Sequence, residues 1–455
     1  MQAPDQESHV AITMDSMKLK EGLACNPRTG LITGFSALEG IDQQLADMEA
    51  GTDSIEGKQQ ATELFCIMLR SLTFKYDRVI AAWPCRNPTG QQIYSFVWRV
   101  IEALAMEDLN VVAVIADGAS TNSRFFDLSG TQSVPGHKYP YKTRHPYRRN
   151  QWIWFIYDPV HQMKVMRNNL ANSGAHKNTR NMNMDGKDIS WDHIVAVWNS
   201  ERGAALRTTK LTEQHVHLNS YSCMKAGMAA ATLSEDVAAR LHQIGEEQFG
   251  QGHCPYCSTE TYIRMARRLF DLGNLRCSGP SREAVAERKP HMEPFSSADD
   301  PRLDVFGDTA SFFDSWLDQL TGEFGEVEWS KFVSQQCHRM LLTNCASFPE
   351  LIKYLLNEAK FRYVLTARLT QDPLESMFAE VRAYGGGARN PDAASALTSI
   401  PIIALGKSTQ AMFSGTTNVN PELHAETAGP SGWAAKIKTA APLPTRTTVA
   451  SAAAA

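Results

Sequence analysis

Hydrophobic segments in the first 160 residues predict a mixed β-sheet. The β-branched, apolar segment 9–14 predicts a strand that presents Asp15 at its carboxyl end. The turn residues 26–30 predict a hairpin in which residues 31–35 are the partner of this first arm. The spacing of apolar residues over 90–108 predicts a helix. Further strands are predicted at 78–83, 111–116 and 152–157, with a short helix between the last two.

The order of these elements predicts the fold. Two or three antiparallel strands that lead into a β-α-β unit form a mixed sheet, the layout of an RNase H-like α/β fold. From 165 to 347 the pattern changes to helices, which predicts a largely α-helical insertion. We therefore expect a first catalytic part at 1–164, the insertion at 165–347, a final helical catalytic part at 348–390, and a low-complexity, mostly disordered tail at 391–455.

Composition excludes several classes of protein. Hydrophobic residues make up 43% and charged residues 21% of the 455 residues, as in globular proteins. No apolar segment approaches the ~20 residues that cross a membrane, so no membrane partner is expected. Nine cysteines without regular spacing indicate free thiols in a reducing compartment. A net charge of −4 excludes a globally cationic nucleic-acid coat protein but permits a local basic channel.

Three carboxylates have positions that suit phosphodiester chemistry. Asp15 and Asp117 each follow a predicted strand, and Glu375 lies on a predicted helix near 372–382. Two Mg²⁺ ions about 4 Å apart need such hard oxygen ligands to activate the attacking oxygen and stabilise the leaving one. The alternative is that these acids are ordinary helix caps and turn residues, which spacing alone leaves open.

The sequence around these acids resembles the P-element-type transposases, including vertebrate members that carry an N-terminal THAP zinc domain. The matching motifs keep their order from about residue 9 to residue 392. They are Met14-Asp15-Ser16-Met17-Lys18-Leu19-Lys20, Thr29-Gly30-Leu31-Ile32-Thr33-Gly34-Phe35, Val114-Ile115-Ala116-Asp117-Gly118-Ala119-Ser120-Thr121-Asn122, Tyr157-Asp158-Pro159-Val160-His161-Gln162-Met163-Lys164, Arg167-Asn168-Asn169-Leu170-Ala171-Asn172-Ser173, Leu211-Thr212-Glu213-Gln214-His215-Val216 and Thr370-Gln371-Asp372-Pro373-Leu374-Glu375.

The resemblance implies a nucleus-localised DDE transposase that uses Mg²⁺ or Mn²⁺ and GTP and acts on DNA, at transposon ends and target, with possible homo-oligomerisation. It implies roles for seven residues: Asp15, Asp117 and Glu375 as the metal-binding triad, Asp372 as an auxiliary acid, Lys164 facing nucleotide phosphates, and Asp271 and Asn274 contacting guanine. Two departures stand out. Ser16 replaces the usual acid, and no Cys/His pattern precedes Asp15, so we expect the DNA-reading THAP domain to be missing.

Two other segments have alternative interpretations. Residues 137–180 hold nine Lys and Arg residues interleaved with aromatics, which suits either a DNA backbone channel or a solvated basic loop beside a core strand. Cys254 and Cys257 form half of a zinc site by spacing, but a second pair is missing, which favours free thiols. A catalytically silent, domesticated or truncated transposase remnant that binds GTP or DNA is the alternative function.

Overall fold

The computed structural model describes residues 6–25, 32–36, 59–74, 76–174, 179–250, 255–276, 292–322, 325–387 and 389–414. Every contact reported below lies within the compact unit that ends at Gln410. The described strands are β1 (His9–Lys18), β2 (Ala24–Cys25), β3 (Ile32–Thr33), β4 (Glu63–Ser71), β5 (Asp77–Cys85), β6 (Asn110–Ala116), β7 (Gln132–Ser133), β8 (Pro140–Arg144), β9 (Trp152–Tyr157), β10 (Asn183–Met184) and β11 (Lys187–Asp188).

Helices account for most of the rest of the described chain. The α-helices are α1 (Gly90–Met106), α2 (Ser120–Ser129), α3 (Pro159–Ala171), α4 (Trp191–Glu201), α5 (Glu213–Val216), α6 (Ala226–Thr232), α7 (Glu235–Phe249), α8 (Cys257–Gly273), α9 (Asp304–Gln319), α10 (Gln335–Asn357), α11 (Asp372–Tyr384) and α12 (Ala393–Ser414). Short 3₁₀ helices lie at Gln6–Ser8, Ser222–Met224, Pro301–Leu303, Trp329–Lys331 and Thr366–Leu369.

Seven strands form one mixed sheet in the order β5-β4-β1-β6-β9-β8-β7. The three central strands β1, β6 and β9 run parallel, and the neighbours on both sides are antiparallel. Every residue of β6 is buried, because β6 lies between two strands and under helices on the sheet faces. The predicted RNase H-like mixed sheet is confirmed.

The predicted hairpin partner of the first strand is wrong. β1 pairs with β4, in which Asp15 lies opposite Cys66, while β3 pairs only with β2 in a separate two-stranded sheet. Residues 64–69 form a continuous apolar run that is buried on both faces of the sheet, and no strand was predicted there. Such a run pairs more extensively than residues 31–35, of which Ile32 is 42% exposed.

Local signals explain where the flanking helices begin. Thr89 and Gln92 form a reciprocal capping box that starts α1, and Asp158 caps α3 ahead of Pro159. The glycines after α11 end it as predicted, and Gly386 and Gly387 both have φ of +77°, a conformation that favours glycine.

The helical segment after the sheet is confirmed, but its last helix differs from the prediction. α10 is a single 23-residue helix that begins at Gln335, well before the predicted 349, and it packs against β8 and β9. Aromatic residues of the insertion hold α8 and α9 together, for example Tyr262 on α8 and Trp316 on α9, whose ring centroids are 6.4 Å apart.

The prediction of disorder after Asn390 is wrong for the segment that forms α12. Ala393, Ala396 and Ile400 are buried against Met17 and Leu374. These residues have helical spacing, but Ser, Thr and Pro401 dilute the pattern, so the apolar face was not recognised. Residues 415–455 lie outside the described chain.

Candidate functional site

Three acidic residues meet at one edge of the central sheet. Because β1, β6 and β9 are parallel, their carboxyl ends lie at the same edge. Thr13 pairs with Ile115, which puts Asp15 level with Asp117, and Asp158 follows β9 and donates its backbone N–H to Ala116 O at 2.8 Å. Asp15 lies inside β1 rather than at its end, since β1 continues to Lys18.

The fourth acid, Glu375, is brought to this edge by the amino-terminal turn of α11. Gln371 fixes the start of the helix in two ways: its backbone N–H donates to Asp158 Oδ1 at 3.1 Å, and its Nε2 donates to Met14 O at 2.7 Å. Leu374 and Met377 anchor the buried side of the helix. The side chain of Glu375 therefore lies near the end of β1, 360 residues away in sequence from Asp15.

Burial and neighbouring negative charges raise the pKa values of Asp15 and Asp158. Burial, reinforced by the charge of Asp117 and, to a lesser degree, of Glu375 and Asp158, raises the pKa of Asp15 to about 8. Burial raises the pKa of Asp158 to about 7, although the hydrogen bonds that it accepts from the backbone of Gln371 and His161 act to lower this pKa. A divalent cation would relieve this repulsion, and the donor set of carboxylate oxygens suits Mg²⁺ or Mn²⁺. The residues present therefore fit the implied metal.

Asp117 is held rigidly. Its Oδ1 accepts from Ala119 N–H at 2.9 Å and from Asn122 Nδ2 at 2.7 Å. Gly118 passes close under α10, where a Cβ would lie 2.5 Å from Met340 Sδ. A cavity of about 290 Å³ opens beside Asp117 and Asp15, with Ser16 on its wall. Ser16, which departs from the family pattern, therefore faces the same space as the two carboxylates.

Lys164, expected to face nucleotide phosphates, lies beside the acidic cluster. Its Nζ is 3.8 Å from Glu375 Oε1. His161, one turn earlier on α3, also lies near Asp117 and Glu375, although burial lowers its pKa. Both side chains therefore lie beside the carboxylates at the sheet edge. Asp372, the expected auxiliary acid, forms an ion pair with Arg276.

Asp271 lies in a different place, on the wall of a cavity of about 810 Å³ in the helical insertion. Its carboxylate accepts from Arg267 through both oxygens, at 2.9 and 2.7 Å. The same wall carries the cations Lys210, Arg268 and Arg302. A cavity of this size with several cations fits a nucleoside triphosphate.

Asn274, the other residue expected to contact guanine, follows the end of α8. Its Oδ1 accepts from Arg276 Nε at 3.1 Å, and Arg276 in turn pairs with Asp372. Asn274 therefore connects the end of α8 with the start of α11. Asp271, one turn earlier on α8, faces the cavity instead.

The basic segment 137–180 contains both buried and exposed cations. Lys142 is buried, forms an ion pair with Glu350 at 2.5 Å and lies 4.5 Å from the centre of the Trp152 ring, which gives it a structural role. Trp154 is buried, as favoured from the sequence. Arg144 stacks on Trp152 at 3.8 Å, and Arg149 is exposed.

The half zinc site is only partly within the described chain. Cys254 lies outside the described residues, while Cys257 begins α8 and accepts from Lys187 Nζ at 3.1 Å.

Sequence analysis missed two residues of the acidic cluster. The sequence analysis names Asp158 and Gln371 only as parts of motifs and assigns no role to either. The signal for Asp158 was available, because it ends a parallel strand next to the strand that Asp117 follows. The signal for Gln371 was not, because its partner Met14 lies 357 residues away.

Together, the mixed sheet, the acidic edge and the helical insertion define an RNase H-like α/β domain that is interrupted by an insertion domain. Two family models match the chain: the TNP-like, RNase H N-terminal domain over residues 1–130 and the TNP-like, GTP-binding insertion domain over residues 160–282. Together they span more than half of the chain.

Known relatives agree with these matches. The chain is 22% identical over 298 residues to a transposable element P transposase from Drosophila melanogaster, covering 64% of this chain and 35% of the relative. The chain thus corresponds to about a third of that relative's length. It is similar in fold to the Drosophila P element transposase strand transfer complex, with a TM-score of 0.66 and 16% identity, covering 89% of this chain and 78% of the other. The chain belongs to the P-element-type transposase family. No helix in the described ranges is long and apolar enough to span a membrane.

Proposed function

We propose that this chain is a DNA transposase body that hydrolyses and joins phosphodiester bonds at the acidic edge of its sheet. One observation carries the proposal: Asp15, Asp117 and Glu375 come together from distant parts of the sequence, and burial, reinforced by the charges of Asp117 and Glu375, raises the pKa of Asp15 to about 8. Crowding of this kind is unfavourable unless the site serves to bind cations.

Each side chain of the cluster has a distinct task in this proposal. Asp15, Asp117 and Glu375 would hold Mg²⁺ or Mn²⁺, which when bound supplies Lewis-acid stabilisation of the attacking and leaving oxygens. Asn122 orients Asp117. Lys164, 3.8 Å from Glu375, balances the negative charge of the cluster and can pair with a DNA phosphate that enters.

DNA, as transposon ends and target, is the proposed substrate, and the nucleus is the proposed location, because the chain must reach chromosomal DNA there. The fold it shares with a P element transposase strand transfer complex and its family membership support this assignment. Homo-oligomerisation remains a proposal on the same basis.

Plasmid nicking tests the catalytic assignment. Supercoiled plasmid is incubated with wild-type protein, Asp117→Asn and Asp308→Asn, each with Mg²⁺, with Mn²⁺ and with chelator. We expect metal-dependent nicking by wild type and by Asp308→Asn, whose substitution lies on the exposed side of α9, and none by Asp117→Asn. Identical traces for all samples would favour the alternative, a catalytically silent remnant that binds GTP or DNA.

We also propose that the 810 Å³ cavity of the insertion binds GTP. The match to a GTP-binding insertion domain over residues 160–282 supports this, and so does the juxtaposition of Asp271 with the cationic wall. Each oxygen of the Asp271 carboxylate, which already accepts from Arg267, has a further lone pair that accepts from the guanine N1 and N2 donors in this arrangement, with Asn274 adjacent at the end of α8. Lys210, Arg268 and Arg302 pair with phosphates.

Calorimetry with GTP and ATP tests this second site. Adenine lacks the N1–H and N2–H donors, so the ATP complex loses two hydrogen bonds to a charged acceptor, which are worth about 1–3 kcal/mol, and GTP should bind about 10–100-fold more tightly. Asp271→Asn should reduce the preference, whereas Asp236→Asn, on the same wall, should preserve it. Equal affinity for the two nucleotides would remove the assignment.

A further inference from the structure

Two histidines and an aspartate from three separate elements converge away from the acidic cluster. His137 lies in the turn between β7 and β8, Asp314 on α9 and His338 on α10. One potential ligand atom from each lies within 4.8 Å of the other two, and in the described part of the chain no other trio of His, Cys, Asp or Glu side chains is so close. The trio joins the edge of the sheet to two helices.

His338 is the unusual member. It is 0% exposed, and neither of its ring nitrogens has a hydrogen-bond partner among the described residues. Asp314 Oδ1 lies 3.6 Å from His338 Nε2, too far for a hydrogen bond. A buried polar ring of this kind is unfavourable unless something in the site binds it.

The spacing of the three side chains suits a small metal ion. Asp314 Oδ1 is 3.0 Å from His137 Nε2 and 3.6 Å from His338 Nε2. Tetrahedral zinc with bonds of about 2.0–2.1 Å separates its ligand atoms by roughly 3.3 Å. These two spacings lie on either side of that value, and the ligand atoms of the two histidines lie within 4.8 Å of each other, so side-chain rotations would complete the coordination.

Aromatic neighbours hold the two imidazole rings in place. His137 stacks on Tyr139 with centroids 5.4 Å apart, and His338 packs edge-on against Phe332 at 5.2 Å. The Asp314 side chain is 38% exposed, which leaves a path for an ion and a position for water. The pocket is therefore lined by fixed aromatic rings on its buried side and is open to solvent at Asp314.

We propose that His137, Asp314 and His338 bind a zinc-type divalent ion, with solvent as the fourth ligand. Imidazole nitrogens select such first-row ions over Mg²⁺, which keeps this site chemically distinct from the carboxylate cluster. The ion would fasten the β7–β8 turn to α9 and α10, and hence the insertion to the sheet. Without an ion, the same residues form only a His137–Asp314 ion pair beside a buried neutral histidine.

Cobalt spectroscopy on the full chain separates these two cases. The protein is stripped with chelator, given excess Mg²⁺ to occupy the carboxylate cluster, and titrated with Co²⁺. We expect one equivalent of Co²⁺ with the intense visible bands of low coordination number, displaced by Zn²⁺. Thiolate charge-transfer bands in the near ultraviolet would instead assign the ion to cysteines such as Cys257 and overturn the proposal.

Three variants and one control complete the test. Asp314→Ala, His137→Ala and His338→Phe should each weaken Zn²⁺ binding by about 100-fold or more, because each removes one of three protein ligands. Phenylalanine fills the aromatic pocket of His338, so that variant should remain folded without metal. His242→Gln removes a histidine paired with Glu246 and Glu260 elsewhere and should bind like wild type.

Thermal unfolding gives a second, independent readout. Zn²⁺ should raise the Tm of wild type and of His242→Gln but leave the Tm of His338→Phe unchanged. Equal Zn²⁺ affinity in wild type and all three ligand variants would show that the trio is only a structural contact, and so would the absence of a Zn²⁺-dependent Tm shift in wild type.

Discussion

Gly118 shows how a residue without a side chain allows the loop that carries the carboxylate of Asp117 to pack closely against a helix. It follows Asp117 and lies directly under α10, whose Met340 and Gln336 side chains fill the space where a Cβ would be, at 2.5 and 3.0 Å. Gln336 also donates to Gly118 O. The loop that carries Asp117 is thus pressed between β6 and α10, and its glycine is required by close approach rather than by an unusual φ.

We predict that Gly118→Ala lowers plasmid nicking at least about 10-fold while reducing the free energy of unfolding by only about 1–3 kcal/mol, since the clash is with flexible side-chain ends. Nicking rate and urea denaturation are the measurements. Gly307→Ala is the matched control: nothing lies within 4 Å of its Cβ position, and it should stabilise α9 by up to about 1 kcal/mol without changing the rate. Equal effects of the two variants would contradict the close-packing argument.

His145 predicts a pH dependence of stability. Burial, reinforced by Arg148, lowers the pKa of His145 to about 4, and its Nδ1 accepts from Tyr147 N–H at 3.2 Å. The unfolded chain has a histidine pKa near 6.5, so it binds more protons than the folded chain between about pH 6.5 and 4. Stability should therefore fall as the pH falls through that window, by at most about 3 kcal/mol from this residue.

Urea denaturation at several pH values checks this expectation. His145→Asn retains an acceptor without titrating and should flatten the pH dependence between pH 6.5 and 4.5. His217→Asn, which changes an exposed histidine, should leave it as in wild type. A wild-type slope in His145→Asn would exclude His145 as its source.

Helix α11 brings the last acid of the cluster into place. Its first turn carries Glu375, and Gln371 just before it is tied to Asp158 on one side and to Met14 on the other. The buried residues of α11 pack in one cluster with buried residues of α12, and this packing fixes the apolar face of α11. The position of Glu375 therefore depends on contacts made by neighbours rather than on its own side chain.

Gln371→Met should therefore impair the site more than the fold. The substitution keeps the side-chain volume and the backbone hydrogen bond to Asp158 but leaves Met14 O unpaired, at a cost of about 1–3 kcal/mol. We expect nicking to fall about 10-fold or more and the Mg²⁺ concentration for half-maximal nicking to rise. Ser376→Ala, an exposed change on the same helix, should alter neither quantity. Unchanged metal dependence in Gln371→Met would show that the tie to Met14 does not position Glu375.

Local patterns predicted most of the elements but few of the tertiary pairings. The strands at 78–83, 111–116 and 152–157 and the helix at 90–108 are confirmed, because burial and capping leave a local pattern. The pairing of β1 with β4 and the burial of Lys142 were not predictable, because both depend on partners that are 45 or more residues away. Strand ends and motifs predicted Asp15, Asp117 and Glu375 as site residues, but they did not predict the contact of Lys164 with Glu375, because that contact joins residues far apart in the sequence.

The molecule as a whole is acidic, with a net charge of −4, so the proposed binding to DNA requires particular cationic surfaces. Lys142 is buried and paired with Glu350, whereas Arg149 is exposed on the loop between β8 and β9. The two residues lie close together in the sequence, but only the exposed side chain of Arg149 is accessible to a phosphate. Their comparison can separate a structural cation from a DNA-binding one.

We predict that Arg149→Ala weakens DNA binding and lowers the slope of log K against log[salt] by about one, because one phosphate contact is lost. Lys142→Met should leave the slope unchanged but destabilise the fold by about 1–2 kcal/mol, because Glu350 loses a buried partner that also contacts Trp152. Fluorescence anisotropy at several salt concentrations and urea denaturation measure the two effects. An unchanged slope in Arg149→Ala would place the DNA channel elsewhere.

The distance along the chain between Asp15 and Glu375 affects when the site can exist at all. During synthesis at about 5–20 residues per second, Glu375 leaves the ribosome roughly 20–70 s after Asp15. Gln371 cannot bond to Met14 before that time, so a nascent or prematurely terminated chain has no assembled cluster. The order of synthesis thus prevents the acidic cluster from forming until nearly all of the compact unit has been made, and under the proposed function an unfinished copy would therefore have no site that could act on DNA.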